Sequence, residues 1–443
     1  MGLQCRLSAN GQIIMSCGRC FFAGIGPIDT ADRLACEGEI MFRIMKIGIL
    51  ISGFGFIAVM SAAQQSGKPV RPFAMGMPAG PTSPEIHSDH RVTFRISAPD
   101  AAKVVLNGDW PDGRSVGMSE GKDGIWSVTI GPLEPELWGY TYSVDGVRTL
   151  DPGNPDVKRD GVRYDNILLI PGPESALYEV KDVPHGTVSM VWYDSPTLEN
   201  SRRMVVYTPP GYESEGDRYP VLYLLHGGGG DEDAWFTLGR ANLIMDNLIA
   251  RKEAEPMIVV MPNGNANQVM ARGSGPVAVQ PPTVRTVTPT GDVSNSRSSS
   301  TPAEELFPKS LVNDIIPYVE ENFRAKADME SRAIAGLSMG GGQTMTATAL
   351  YPRTFGYIGV WSAGTRLTDE QLDLRLSIIK AGGVKLYYVG CGVDDPLAHA
   401  GSTRLVEHLK KLDMWYRFKE TPGGHTWFNW RIYLSDFATK LFQ

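Results

Sequence analysis

Arg332-Ala333-Ile334-Ala335-Gly336-Leu337-Ser338-Met339-Gly340-Gly341-Gly342 sets a short apolar run directly against a serine flanked by glycines. Arg332 to Ala335 has the length and composition of a buried strand, and the residues beyond Gly342, Ala347 and Ala349 among them, favour a helix. A passage from strand to helix in so few residues leaves no room for side chains beside the serine, and it lifts Ser338 Oγ above the edge of a sheet. The helix that begins there favours negative charge at its N-terminus. A plain glycine turn is the alternative. The strand before and the helix after favour a nucleophile.

A serine hydroxyl is a poor nucleophile until a base takes its proton. The chain offers His87, His90, His185, His226, His399, His408 and His425. His425 lies in Pro422-Gly423-Gly424-His425-Thr426-Trp427, a flexible loop just after the run Trp415 to Lys419, where an imidazole can swing over the sheet to Ser338. His399 and His408 fall on a predicted helix and fit the surface. The base in turn needs an acid to fix its tautomer and stabilise its cation. Asp394 and Asp395 both follow the run Lys385 to Gly390 and stand between the serine and His425 in the chain, the order expected on such a sheet. Spacing leaves both open. His226-Gly227-Gly228-Gly229-Gly230 follows Val221 to Leu225, and glycines there let backbone N–H groups face a substrate. Gly228 N–H and Met339 N–H are the candidate oxyanion donors, with His226 a structural residue of the loop.

From about 188 to 443 the chain alternates strands and helices. Val221 to Leu225, Met257 to Met261, Arg332 to Ala335, Tyr357 to Trp361 and Lys385 to Gly390 are short, unbroken apolar runs. Such runs between helices predict a doubly wound, mostly parallel sheet covered on both faces. Leu311, Ile315, Ile316, Val319 and Phe323 share one face of a predicted helix that Pro317 should kink. The stretch 265–304 has no periodicity and is crowded with Pro, Gly, Ser and Thr. It leaves the sheet beyond the carboxyl end of Met257 to Met261, on the serine's side, so it is expected to be a flap beside the site.

Residues 85–171 alternate instead, as in Arg91 to Ile96, Lys103 to Leu106, Trp126 to Ile130 and Leu137 to Val144, with turns at Asp112-Gly113, Asp123-Gly124 and Asp145-Gly146. This predicts a small all-β sandwich. Residues 64–84, rich in Pro, Gly and Ser, read as a linker. Within a 1–63 leader, Arg43 and Lys46 precede the apolar run Ile47 to Met60 and then Ser61-Ala62-Ala63, the pattern of a signal peptide over 41–63. A mature chain beginning near Gln64, with Met41 or Met45 as the start, is expected, secreted or periplasmic. The run is too short and glycine-broken to leave a membrane span. Cys5, Cys17, Cys20 and Cys36 all precede the cleavage site, which leaves Cys391 and no disulfide framework. The formal charge of -7 without a lysine or arginine stripe argues against a nucleic-acid partner. No metal-ligand cluster or dinucleotide motif is present, so neither a metal nor a cofactor is expected.

HGGGG, GLSMGG, CGVDD and GGHTW, in that order, resemble the esterase-D-like branch of the α/β hydrolases, and within it the bacterial feruloyl esterases of carbohydrate esterase family 1. The resemblance covers about Val188 to Gln443. It implies an α/β-hydrolase fold and a Ser-His-Asp acyl-enzyme mechanism, and it selects Asp395, the last residue of Cys391-Gly-x-x-Asp, as the acid. The 265–304 insertion departs from the pattern. Val104 to Trp110 and Tyr140 to Pro152 resemble, over a shorter stretch, a carbohydrate-binding module of family 48. Such a module would hold glycan on Trp110 and Trp138 and assist polymeric substrates while sparing small ones. The bland alternative is a sandwich that only packs on its neighbour.

The resemblance implies a feruloyl esterase acting on feruloylated xylan of the plant cell wall or its oligosaccharides. Trp235, Trp361 and Trp427 are candidates for its substrate pocket. Acetylxylan esterase and siderophore esterase are the alternatives within the fold. A catalytically silent glycan-binding protein is the alternative outside it.

Overall fold

The computed structural model describes residues 80–214, 216–271, 303–365 and 367–443, and the backbone of an antiparallel strand pair, Gln4–Leu7 and Ile13–Ser16. The 41–63 signal, nearly all of the 64–84 linker and residues 272–302 of the insertion lie outside the described residues. Among those described, no helix is long and apolar enough to cross a membrane.

Alternation in the first domain produces two antiparallel sheets, because every second side chain of a strand points to the same face. One sheet runs β1 (Glu85–Ile86), β2 (Val92–Ser97), β6 (Ile125–Ile130), β5 (Ser119–Glu120). The other runs β9 (Val157–Asp160), β10 (Arg163–Leu169), β7 (Leu137–Val144), β3 (Val104–Gly108), β4 (Val116–Gly117), with β8 (Val147–Thr149) also paired to β7. Asp145 and Gly146 join β7 to β8 with φ of 48° and 86°, the left-handed pair that a two-residue hairpin requires. Phe94, Leu106, Trp110, Tyr140 and Tyr142 fill the space between the sheets.

The second domain is an eight-stranded sheet in the order β11 (Thr187–Ser195), β12 (Asn200–Thr208), β14 (Ile258–Pro262), β13 (Val221–Leu225), β15 (Arg332–Leu337), β16 (Tyr357–Trp361), β17 (Leu386–Gly392), β18 (Tyr416–Thr421). The β11–β12 and β12–β14 pairings are antiparallel, and all the rest are parallel. The central parallel strands from β14 and β13 to β17 are buried along their length, save Arg332 at the start of β15, as the unbroken apolar runs require. After helices α1 (Ala234–Thr237) and α2 (Ala241–Ala250), the predicted helix at 311–323 is in fact a composite: α3 over Ala303–Ser310, a π turn over Leu311–Ile315 and α4 over Ile316–Asn322. Pro317 lacks the N–H to continue the ladder, and the wide turn just before it absorbs the fault. Helical residues from 303 also end the 265–304 insertion slightly earlier than expected.

Residues 79–443 form one compact unit. Leu137 and Tyr178 enter the same core as Leu224, Trp235 and Trp361, so the sandwich and the sheet share buried apolar surface. At the same junction Arg431 Nη1 donates to Glu136 Oε1 at 2.5 Å, with both side chains buried.

Candidate active site

Ser338 occupies the turn between β15 and helix α5 (Met339–Leu350) at φ 51° and ψ -114°. A residue other than glycine holds that conformation only when its surroundings impose it. They do. A Cβ on Gly336 would come within 2.4 Å of the Gly340 carbonyl, and one on Gly340 within 2.6 Å of the His226 oxygen. Helix and strand therefore touch backbone to backbone, and Ser338 is squeezed out at their junction. Its own N–H donates to the Trp361 carbonyl at 2.8 Å. The next N–H, that of Met339, opens a helix and has no partner within it.

His425 and Asp395 come together from loops after β18 and β17. His425 Nδ1 lies 2.8 Å from Asp395 Oδ2. The other carboxylate oxygen accepts the N–H groups of Leu397 and Ala398, both at 3.0 Å. With the carboxylate acting only as acceptor, Nδ1 carries the proton and Nε2 is left free as a base. The His425 ring packs edge-on against Trp430, 5.1 Å between centroids. Asp394 is exposed, and its backbone N–H donates to Gly423 instead. Spacing had left the two aspartates open; the geometry takes Asp395. Cys391 is buried four residues earlier, its thiol pushed up to about 11 by that burial, which makes it a poor nucleophile.

The HGGGG loop follows β13. His226 is fully buried, its Nδ1 2.8 Å from the Gly227 carbonyl and its Nε2 2.8 Å from the Gly264 N–H. One nitrogen must donate and the other accept, so the ring is neutral, and burial holds its pKa below the ordinary value. His226 is thus a structural tie, as expected. A Cβ on Gly227 would stand 3.3 Å from Ser338 Cβ, which places the loop over the serine. Gly228 N–H donates to no described residue and remains available, like Met339 N–H, to a substrate oxygen.

Other expected site residues fare differently. Trp235 and Trp361 are 1% and 0% exposed and stack edge to face at 5.6 Å in the core under the sheet, so neither lines a pocket. Large aromatics are drawn into the core by their apolar area, and Trp235 Nε1 also satisfies the Leu225 carbonyl. Trp427 is half-buried against Trp235 and Trp430. Trp110, expected to hold glycan, is buried with its ring across Gly108 and Gly113. Trp138 is half-buried beside it, its Nε1 bonded to the Glu134 carbonyl. His408 is not a surface residue either. It is largely buried between Asp369 and Asp373, whereas His399 meets Glu420 near the surface.

Sequence reasoning missed two features of the site. A cavity of about 910 Å³ opens beside Met339, lined among others by Asn265, Gln343, Thr346, Thr365 and Arg375. A smaller hollow of about 210 Å³ lies between Gly229, Asp231 and Gln268 of the hydrolase and Gly161 and Val162 of the sandwich. No periodicity marks such junctions, because they form from residues far apart in the chain.

Comparison with known proteins places the chain in an esterase family. A family model described as "Putative esterase" matches residues 195–441. An endo-1,4-beta-xylanase/feruloyl esterase of Xylanibacter ruminicola is 33% identical over 392 residues, covering 86% of this chain and 49% of that protein. The chain therefore spans about half the length of that relative. An esterase of Mycobacterium tuberculosis is 31% identical over 190 residues, 41% of this chain and 35% of that one. Among solved structures, the enterobactin esterase of Shigella flexneri superposes with a TM-score of 0.55 at 18% identity, covering 80% of this chain and 93% of that chain. That similarity shows the shared fold.

Proposed function

Because the chain belongs to the esterase family of α/β hydrolases, we propose that it cleaves carboxylic esters through an acyl-enzyme on Ser338, and that its substrates are hydroxycinnamate esters of plant cell-wall xylan. The observation that carries the reaction is the Asp395–His425 pair, held on loops at the same carboxyl edge of the sheet as the strained Ser338 turn. His425 Nε2 takes the Ser338 proton as Oγ attacks the ester carbonyl. The oxyanion that forms is met by Gly228 N–H and Met339 N–H. The carbon–oxygen bond to the alcohol then breaks, and His425 returns the proton to the departing oxygen. A water molecule, activated by the same imidazole, releases the acid and restores Ser338.

The substrate class is supported by the Xylanibacter relative, whose likeness is too long to be the hydrolase alone. Action outside the cytoplasm is part of the proposal, supported by the apolar run Ile47 to Met60 and Ser61-Ala62-Ala63. Comparing initial rates on methyl ferulate, acetylated xylan and a catecholate siderophore tests the reading. It expects methyl ferulate to be turned over fastest. Preference for either other ester would overturn the substrate class, and inertness toward all three and toward nitrophenyl acetate would leave only a glycan-binding role.

A further inference from the structure

The HGGGG loop is held from its ends. A Cβ on Gly228 or Gly229 would meet nothing within 4 Å, so the middle of the loop is held by backbone contacts alone, the Gly230 N–H to the Gly227 carbonyl at 3.2 Å among them. Glycine backbone left to itself samples many conformations. Upstream, His226 is tied at both ring nitrogens. Downstream come three buried acids, Asp231, Glu232 and Asp233. Arg203 Nε donates to Glu232 at 2.6 Å and its Nη2 to Asp233 at 2.8 Å. Asp231, the residue that directly follows Gly230, takes its charge partner from the other domain. Arg159, at the end of the β9–β10 hairpin, donates Nη1 and Nη2 to its two oxygens at 2.6 and 2.8 Å, and Nη2 also reaches Asp233 at 2.9 Å. The hairpin is pressed close: a Cβ on Gly161 would stand 2.3 Å from the Gly229 carbonyl oxygen.

We propose that Arg159 of the sandwich is a positioning residue for the oxyanion loop, so that the two domains form one catalytic unit even for esters too small to touch the sandwich. The proposal rests on Gly228 N–H being an oxyanion donor. Without Arg159, Asp231 loses its guanidinium and Asp233 is left with that of Arg203, which also serves Glu232. A buried charge that loses its partner is strongly disfavoured, and the segment carrying it moves toward water. The segment that moves is continuous with Gly228, and misplacing a preorganised donor weakens stabilisation of the transition state more than binding of the substrate.

The test is steady-state kinetics of the full chain on nitrophenyl acetate, with melting temperature recorded for each variant. Arg159→Met is expected to lower kcat about 10- to 100-fold, below the 10²–10³ reported for loss of a whole oxyanion donor. KM should stay within about twofold, and the pH profile should keep its midpoints because Asp395 and His425 are untouched. Arg159→Lys should recover part of the loss. Glu136→Gln, which weakens the other ion pair between the domains, should lower the melting temperature and leave kcat alone. If Arg159→Met does not fold, Arg159→Gln takes its place, and adding Asp231→Asn to it, which leaves no unpaired charge at that position, should recover part of the lost kcat. Unchanged kcat in a folded Arg159 variant, or an equal fall in kcat for Glu136→Gln, overturns the proposal. Gly228→Pro, which deletes the donor itself, separates the premise: full activity there would refute the oxyanion role and not merely the part of Arg159.

Discussion

At the residue scale the account turns on which atom of His425 holds the proton. Asp395 fixes this with one oxygen while two backbone N–H groups fix the other, so the carboxylate cannot rotate away. Asp395→Asn keeps the shape but presents an amide N–H toward Nδ1, which forces the wrong tautomer. By analogy with the same change in a serine protease, kcat should drop about 10⁴-fold. Asp394→Asn changes an exposed side chain and should leave kcat within about twofold; the two variants measured side by side on methyl ferulate check the assignment. The strained turn at Ser338, the loop that carries His425 and the tie made by His226 were legible because each sits in a short motif with its own turn chemistry. The choice of Asp395 over Asp394 was not legible in spacing, since adjacent residues differ only in which way the loop turns them, and it needed the family pattern. The aromatic pocket was misjudged for a related reason: tryptophan near a site in sequence says nothing about which side of the sheet it faces.

At the scale of elements, the strand–turn–helix from β15 to α5 carries the proposed nucleophile, and its tolerance is set by how closely it is packed. Gly340 faces the carbonyls of Leu225 and His226, while Gly342, two residues along and on the opposite side of the same helix, faces open space. Gly340→Ala must push α5 away from β13, with an expected loss of about 1–3 kcal/mol in stability. Gly342→Ala should instead gain about 0.5–1 kcal/mol from reduced backbone freedom. Thermal melting of the two variants, one lowered and one raised, checks the packing. Strands β13 and β16 match their predicted limits because a fully buried strand is apolar from end to end. The edge strand β18 is half exposed and was placed a residue early. The antiparallel strands β11 and β12 escaped notice because β11 mixes polar with apolar residues and β12 opens on Asn200-Ser201-Arg202-Arg203, which leaves only a short apolar run behind it.

For the molecule as a whole, the sandwich was expected to help with polymers and to be dispensable for small esters. Its contacts argue otherwise. Glu136 pairs with a fully buried Arg431, Arg159 with Asp231, and Leu137 enters the hydrolase core. Removing residues 80–171 would strand these charges and uncover apolar surface, so activity on methyl ferulate should fall along with release of ferulate from insoluble xylan; parallel assays of the truncated chain check this. Nothing in the sequence marked these residues, because a charged side chain in a turn looks solvated until its partner, far along the chain, is known. All of this converges on one serine. The most direct measurement is ester hydrolysis by Ser338→Ala, with folding verified by its melting curve. The account predicts a loss of roughly a millionfold, as for a nucleophile acting with its base, in a protein that melts like the parent. Near-normal turnover by that folded variant would contradict it.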